Sequence, residues 1–182
     1  ATNCGQAICI KVNSELTVGN GSSKPKGIVA AATAGVTGGT GVSGKFTYEN
    51  LVDLVYAADP AARALPGFGL MLATSAIVDA RLLQDGANQF IFAPSASDAT
   101  PDRLLGFPLI ENNAMAAVAT SAVSAIAGHF PSYYVRQAGG IRLERSDDYA
   151  FANGLVTFRC SLRVDGDLPQ PSHVKKFAGG AS

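Results

Sequence analysis

A chain of 182 residues is long enough for one domain or two small lobes around a real core. Its 14 Lys and Arg balance its 14 Asp and Glu, which excludes the basic stripe that grips nucleic acid. Only 15% of residues are charged against 47% apolar, a balance that predicts a surface covered by other copies in an oligomer.

From the N-terminus, apolar side chains at Ala7, Ile8, Val12 and Leu16 predict a helix over 4–16, with Lys11 and Glu15 one turn apart. Asn-Gly and Lys-Pro make residues 19–27 a structured loop, and 28–32 reads as a short strand. Residues 34–44 read as a Gly/Thr-rich surface loop, the most flexible part of the chain. Thr47 is placed to cap a helix whose broad apolar face carries Leu51, Val52, Leu54, Val55 and Ala58. Pro60 ends or kinks it, and Pro66-Gly67 is the next break. A buried strand over 69–73 leads into a helix to about residue 83, capped by Thr74 or Ser75. Residues 84–88 turn, and 90–92 extend.

The stretch LLGFPLIENNAM, residues 104–115, is the architectural centre of this reading. Gly106 and Pro108 punctuate it, Leu109 and Ile110 start a short buried strand, and Asn112 and Asn113 turn the chain. Residues 116–127 are small and apolar. Residues 133–135 and 141–143 alternate around Gly139-Gly140, which predicts a hairpin. Residues 153–164 form the longest strand candidate, with Leu155, Thr157 and Arg159 on one side and Val156, Phe158 and Cys160 on the other. Residues 169–182 read as an irregular tail. The elements mix without regular alternation, which makes the class α+β.

The cysteines are Cys4, Cys9 and Cys160, an odd number without C-x-x-C spacing, so a reducing compartment is expected and a disulfide framework is not. No apolar run approaches the roughly eighteen residues of a membrane span, and the start lacks the basic and apolar regions of a signal peptide. The chain opens on Ala1, which reads as a processed product or a piece of something longer.

Chemistry is sparse. Gly39, four residues, then Gly44 and Lys45 match most of a phosphate-binding loop, the basis of an alternative reading as a nucleotide-binding enzyme. Phe46 occupies the position of the hydroxyl that would hold magnesium, and Thr47 is one place late. His129 and His173 lie far apart without ligand-like neighbours, so no metal is expected and His129 is read as packed in a turn. Asp147, Asp148, Asp165 and Asp167 read as turn and rim carboxylates, and Lys175-Lys176 is too short a run for nucleic acid. There is no elbow-type serine motif. No catalytic, cofactor or metal residue is assigned.

Five segments in order resemble the major capsid proteins of tailed bacteriophages, the Hong Kong 97 family. They are LTVGNGSSKPKGIV, FTYENLVDL, residues 70–85 ending in an Asp-Gly turn, the 104–115 stretch, and residues 128–145 with Gly-His-Phe, tyrosines, Gly-Ile and Arg. Family members often carry Gly-Asp-Phe where this chain has Gly128, His129 and Phe130. The resemblance implies a Hong Kong 97-like capsid fold with a peripheral lobe, residues 1–65 and 146–170, and an axial lobe, 66–145 and 171–182. It implies copies assembled as pentamers and hexamers of an icosahedral shell around double-stranded DNA, in a virion built in the host cytoplasm. Decoration, scaffold, protease and portal proteins would be further partners, with no cofactor, no membrane and no enzymatic activity. An encapsulin-like compartment shell is the alternative within that class. The family's N-terminal arm, extended hairpin and first part of the spine helix would precede Ala1. Asn153 is near the position of the acceptor in self-crosslinking relatives, but GLVTFRCSLRV offers no carboxylate, so no crosslink is expected.

Overall fold

The structure is a computed structural model that describes residues 2–92, 102–149 and 151–181. The expectations attached to Ala1 and Ser182 fall outside them.

Helix α1 (Thr2–Val18) carries the Lys11–Glu15 ion pair at 2.7 Å that the spacing predicts. It stops where the Gly19 N–H donates to the Glu15 carbonyl, and the following loop closes as Gly27 N–H donates to Gly19 O, both at 2.9 Å. The expected strand over 28–32 is instead a single helical turn, α2 (Ile28–Ala31). The N–H groups of Ala31 and Ala32 donate to the carbonyls of Gly27 and Ile28, and the turn buries Ile28 and Ala31. Strand β1 (Thr33–Thr37) follows, inside the expected flexible loop. Its hydrogen-bonding partner lies at the far end of the chain, so no local pattern announces it.

Thr47 caps α3 (Tyr48–Ala57) as expected, its Oγ1 accepting the Asn50 N–H at 3.3 Å, and Leu51, Leu54 and Val55 are buried. Pro60 opens a further short helix, α4 (Pro60–Arg63), capped by Asp59 through the Ala61 N–H. Strand β2 (Phe68–Leu72) then leads into α5 (Thr74–Arg81). Neither Thr74 nor Ser75 caps α5. Thr74 Oγ1 donates to Glu111 Oε1 at 2.6 Å, and Ser75 Oγ accepts the Val118 N–H at 3.0 Å, so both hydroxyls tie the start of the helix to segments later in the chain.

In the 104–115 stretch, β3 (Arg103–Leu104) and β4 (Phe107–Glu111) form a hairpin. Leu105 and Gly106 both have positive φ, 54° and 82°, the conformation that a two-residue hairpin loop requires. The strand is less buried than expected: Leu109 is half-buried and Ile110 is 40% exposed. Among the described residues only two-residue β3 lies beyond it at that edge of the sheet.

The remaining strands are β5 (Val123–His129), β6 (Tyr134–Ser146), β7 (Thr157–Asp167) and β8 (Val174–Ala178). Six strands form one sheet in the order β1-β8-β5-β2-β4-β3, parallel at β1/β8 and β2/β4 and otherwise antiparallel. Every residue of β5 from Ser124 to Gly128 is buried, which puts this strand at the centre of the core with α3, α4 and α5 packed against it. The expected tail is therefore partly an inner strand, and Val174 and Phe177 in β8 are fully buried.

Among the described residues β6 and β7 pair only with each other, as a long two-stranded ribbon. The expected hairpin around Gly139-Gly140 is one continuous strand. Ala138 faces Arg163 and Arg142 faces Ser161, so four steps along β6 match two along β7. The glycines absorb the excess as a bulge, with Gly139 at φ +76°. β6, with 13 residues, outruns β7 with 11, the expected longest strand. β1 pairs with β8 and α3 packs on β1, β5 and β8 of the six-stranded sheet, while β6 pairs with β7.

Tyr133 ties the ribbon to the loop between α1 and α2. Its hydroxyl donates to the Lys26 carbonyl at 3.0 Å and lies over Gly166, where an added Cβ would be 2.3 Å from the Tyr133 hydroxyl oxygen. Burial first, then the charges of Asp165 and Asp167, push its pKa up to about 12. An unfolded tyrosine ionises near pH 10. The folded pKa is the higher one, so the contribution is complete below about pH 10 and is lost as pH rises toward about 12. Wild type should melt above Tyr133→Phe at pH 8, and the gap should shrink between pH 10 and 12. A constant gap in melting scans would contradict this assignment.

Candidate functional site

The backbone in and beside the phosphate-loop motif is partly committed. The Gly38 N–H donates to Ala178 O at 2.9 Å and the Gly41 N–H to Ala181 O at 3.0 Å. Gly44 packs on the Ala119 carbonyl. Phe46 is buried in edge-on contact with Phe177, their ring centroids 5.7 Å apart. The backbone that would cradle a phosphate instead anchors the end of the chain, and the ring is a core residue.

The structure brings together His129 and His173, which sequence reading kept apart, with ring centroids 6.3 Å apart. His129 Nε2 lies 3.1 Å from the Pro66 carbonyl, which can only accept. Nε2 therefore donates there, and Ser132 Oγ lies within hydrogen-bond distance of both Nδ1 atoms, 2.7 Å from that of His129 and 2.9 Å from that of His173. This relay clips three chain segments around the turn that follows β5.

The carboxylates sit at rims. Asp147 pairs with Arg145 Nε at 2.8 Å, and Asp165 Oδ1 accepts the N–H of Gly166. The Leu168 N–H, then Lys26 at 3.1 Å, hold Asp167 below the usual carboxylate range. Lys176 Nζ donates to Val29 O, and Asn153 is exposed at the end of a single 3-10 turn. Among the described residues no three His, Cys, Asp or Glu side chains converge to hold a metal, and no helix is long and apolar enough to cross a membrane.

What stands out is the ribbon. Residues directly opposite in an antiparallel pair share a face. One face presents Arg136, Arg142, Arg159 and Arg163 with Glu144 and Asp165. The other presents Val135, Leu143, Phe158, Cys160, Leu162 and Val164, with Gln137 opposite Val164 and Arg145 opposite Phe158. α1 lies along part of this second face, with Val12 and Glu15 beside Leu162 and Val164. Leu143 and Phe158 are 54% and 58% exposed, and Ile141, Leu155 and Val156 are exposed near them. A lone two-stranded ribbon is marginal in water, and large apolar side chains along it mark a surface made to be covered. Sequence reading missed this surface because it read the glycine pair as a turn. The alternation in RLERS and TFRCSLRV was the available signal.

A family model for phage capsids matches residues 1–179. Among solved structures, the capsid of an empty GTA particle is similar at 25% identity and a TM-score of 0.78, over 99% of this chain and 66% of that one. The capsid of a native GTA particle gives 25% and 0.78 over 99% and 65%. A chain of Gordonia phage Cozz gives 16% and 0.68 over 98% and 61%, a likeness of fold. The chain thus spans just under two thirds of the length of these structures. No curated protein matches. With the family model aligned to all but its last three residues, and with the α+β fold of solved capsids, the chain belongs to the phage capsid family.

Proposed function

We propose that this protein is a structural subunit of a bacteriophage head, whose copies form the pentamers and hexamers of an icosahedral shell around double-stranded DNA. The observation that carries this reading, beside family membership, is the exposed apolar surface of the β6–β7 ribbon. It leaves Leu143 and Phe158 open to solvent in a chain with few charges to keep it monomeric. Closed symmetry multiplies such modest contacts into a stable shell. The work is mechanical and uses no catalytic residue, and a net charge of zero suits an inner wall that does not hold DNA tightly. We further propose two lobes: α1 with the ribbon as the peripheral one, and the six-stranded sheet with α3, α4 and α5 as the axial one. Decoration, scaffold, protease and portal proteins are the partners this role calls for.

The test is assembly. Leu143→Asp combined with Phe158→Asp should leave the melting temperature of the unassembled chain within about 2 °C of wild type, because both side chains already face water. Particles counted by negative-stain microscopy should disappear. Particles at wild-type yield would remove the ribbon from the interface and leave the proposal without its main support.

A further inference from the structure

We propose that Cys4 and Cys160 form an intramolecular disulfide that staples α1 to β7. The proposal is independent of shell assembly.

The placement follows from the register of helix on strand. α1 lies along β7 with its later turns matched to the strand's later residues. A Cβ added at Gly166 would lie 3.1 Å from Leu16 Cδ2, and Lys11, Val12 and Glu15 share a groove with Leu162, Arg163 and Val164. From Leu16 back to Cys4 the helix travels about 18 Å at its ordinary rise. From Gly166 back to Cys160 the strand travels about 20 Å. The two cysteines therefore arrive at the same level. Cys160 belongs to the ribbon face along part of which α1 lies, opposite Leu143, and both cysteines are half-buried. Contact with the Cys4 thiol, then burial, raises the Cys160 pKa, which fits one sulfur lying against the other. Cys9, five residues on from Cys4, sits about 140° further around the helix and is exposed, away from the pair.

Odd count and spacing argued against a disulfide framework, and neither speaks against a single bridge between two distant segments. The oxidant is a small-molecule disulfide such as oxidised glutathione. A thiolate of the pair attacks one of its sulfurs, forming a mixed disulfide and expelling one glutathione thiolate. The second cysteine thiolate then attacks the protein sulfur and expels the other. Two electrons pass from the cysteines to glutathione disulfide, giving one protein disulfide and two reduced glutathiones. In a reducing compartment the bridge stays open, and outside it the bridge closes.

The experiment uses the full chain with Cys9→Ser, incubated with oxidised glutathione and then denatured and alkylated. The expected product is two hydrogens lighter than the reduced chain, takes up no alkylating agent, and yields one peptide pair linked through Cys4 and Cys160. Its melting temperature should rise on the order of 5 °C or more, because the bridge closes a long loop. With Cys160→Ser added, the remaining thiol should end as a single glutathione adduct and the rise should vanish. Two thiols still alkylated at equilibrium, or a glutathione on each without a link, would overturn the proposal.

Discussion

Gly128→Val is expected to abolish the folded protein. Gly128 lies in β5 directly opposite Val174 of β8, with both strands inside the sheet. A Cβ at this position would sit 2.4 Å from the His173 carbonyl oxygen and 2.7 Å from Val174 Cα. Overpacking costs about 1–3 kcal/mol where side chains can give way. Here the obstacle is backbone, and relief means separating two inner strands. That loss is set against a total stability of about 5–15 kcal/mol for a typical domain. The variant should accumulate as insoluble chain. Gly140→Ala is the control, since nothing lies within 4 Å of a Cβ there, and it should stay soluble with stability within about 1 kcal/mol of wild type. Soluble, cooperatively melting Gly128→Val protein would show that β5 and β8 do not approach as closely as described.

What could be read directly from the chain was what local periodicity encodes. Thr47 followed by Leu51, Leu54, Val55 and Ala58 specifies a capped amphipathic helix through neighbours within one or two turns, and α3 is that helix. β5 carries no such signal. It is buried on both faces, so its alternation is lost, and its small Ala, Ser and Gly residues lack the β-branched bulk that marks strands. β1 is extended because β8 lies beside it, a fact held about 140 residues away. Gly139-Gly140 has the composition of a turn, and only the length of β7 opposite makes it a bulge. Asn112 was partly legible. It turns the chain as expected by accepting the Ala114 N–H, and it also ties the hairpin to α1 through Asn13 and a 2.9 Å bond to buried Thr17. The ordered resemblance of five segments recovered the fold because family pattern stores long-range pairing that periodicity does not. It did not reveal the apolar ribbon, whose exposure depends on which strands find no third partner.

Removing residues 171–182 should likewise abolish the folded protein, although composition makes this segment look dispensable. The deletion takes out β8, which pairs with both β1 and β5 and lies between them in the sheet. It removes Phe177, 1% exposed, whose loss alone is worth about 3–5 kcal/mol by analogy with buried Phe→Ala changes. Its edge-on partner Phe46 would be left facing a void. It also frees the loop before α3, which holds its shape by donating the Gly38 and Gly41 N–H groups to Ala178 and Ala181. On the other side, the Gly179 N–H donates to Ala122 O at 2.8 Å and Gly179 O accepts from Ser121, so the entry to β5 loses its anchor as well. These losses fall on one cluster and reinforce each other. The truncated chain should be insoluble or, if recovered, should show no cooperative melting by circular dichroism and should be digested rapidly by protease. Phe177→Ala alone should stay folded but melt well below wild type, which separates loss of one side chain from loss of the strand. A truncated chain that melts cooperatively near the wild-type temperature would mean that β8 lies on the sheet without holding it together.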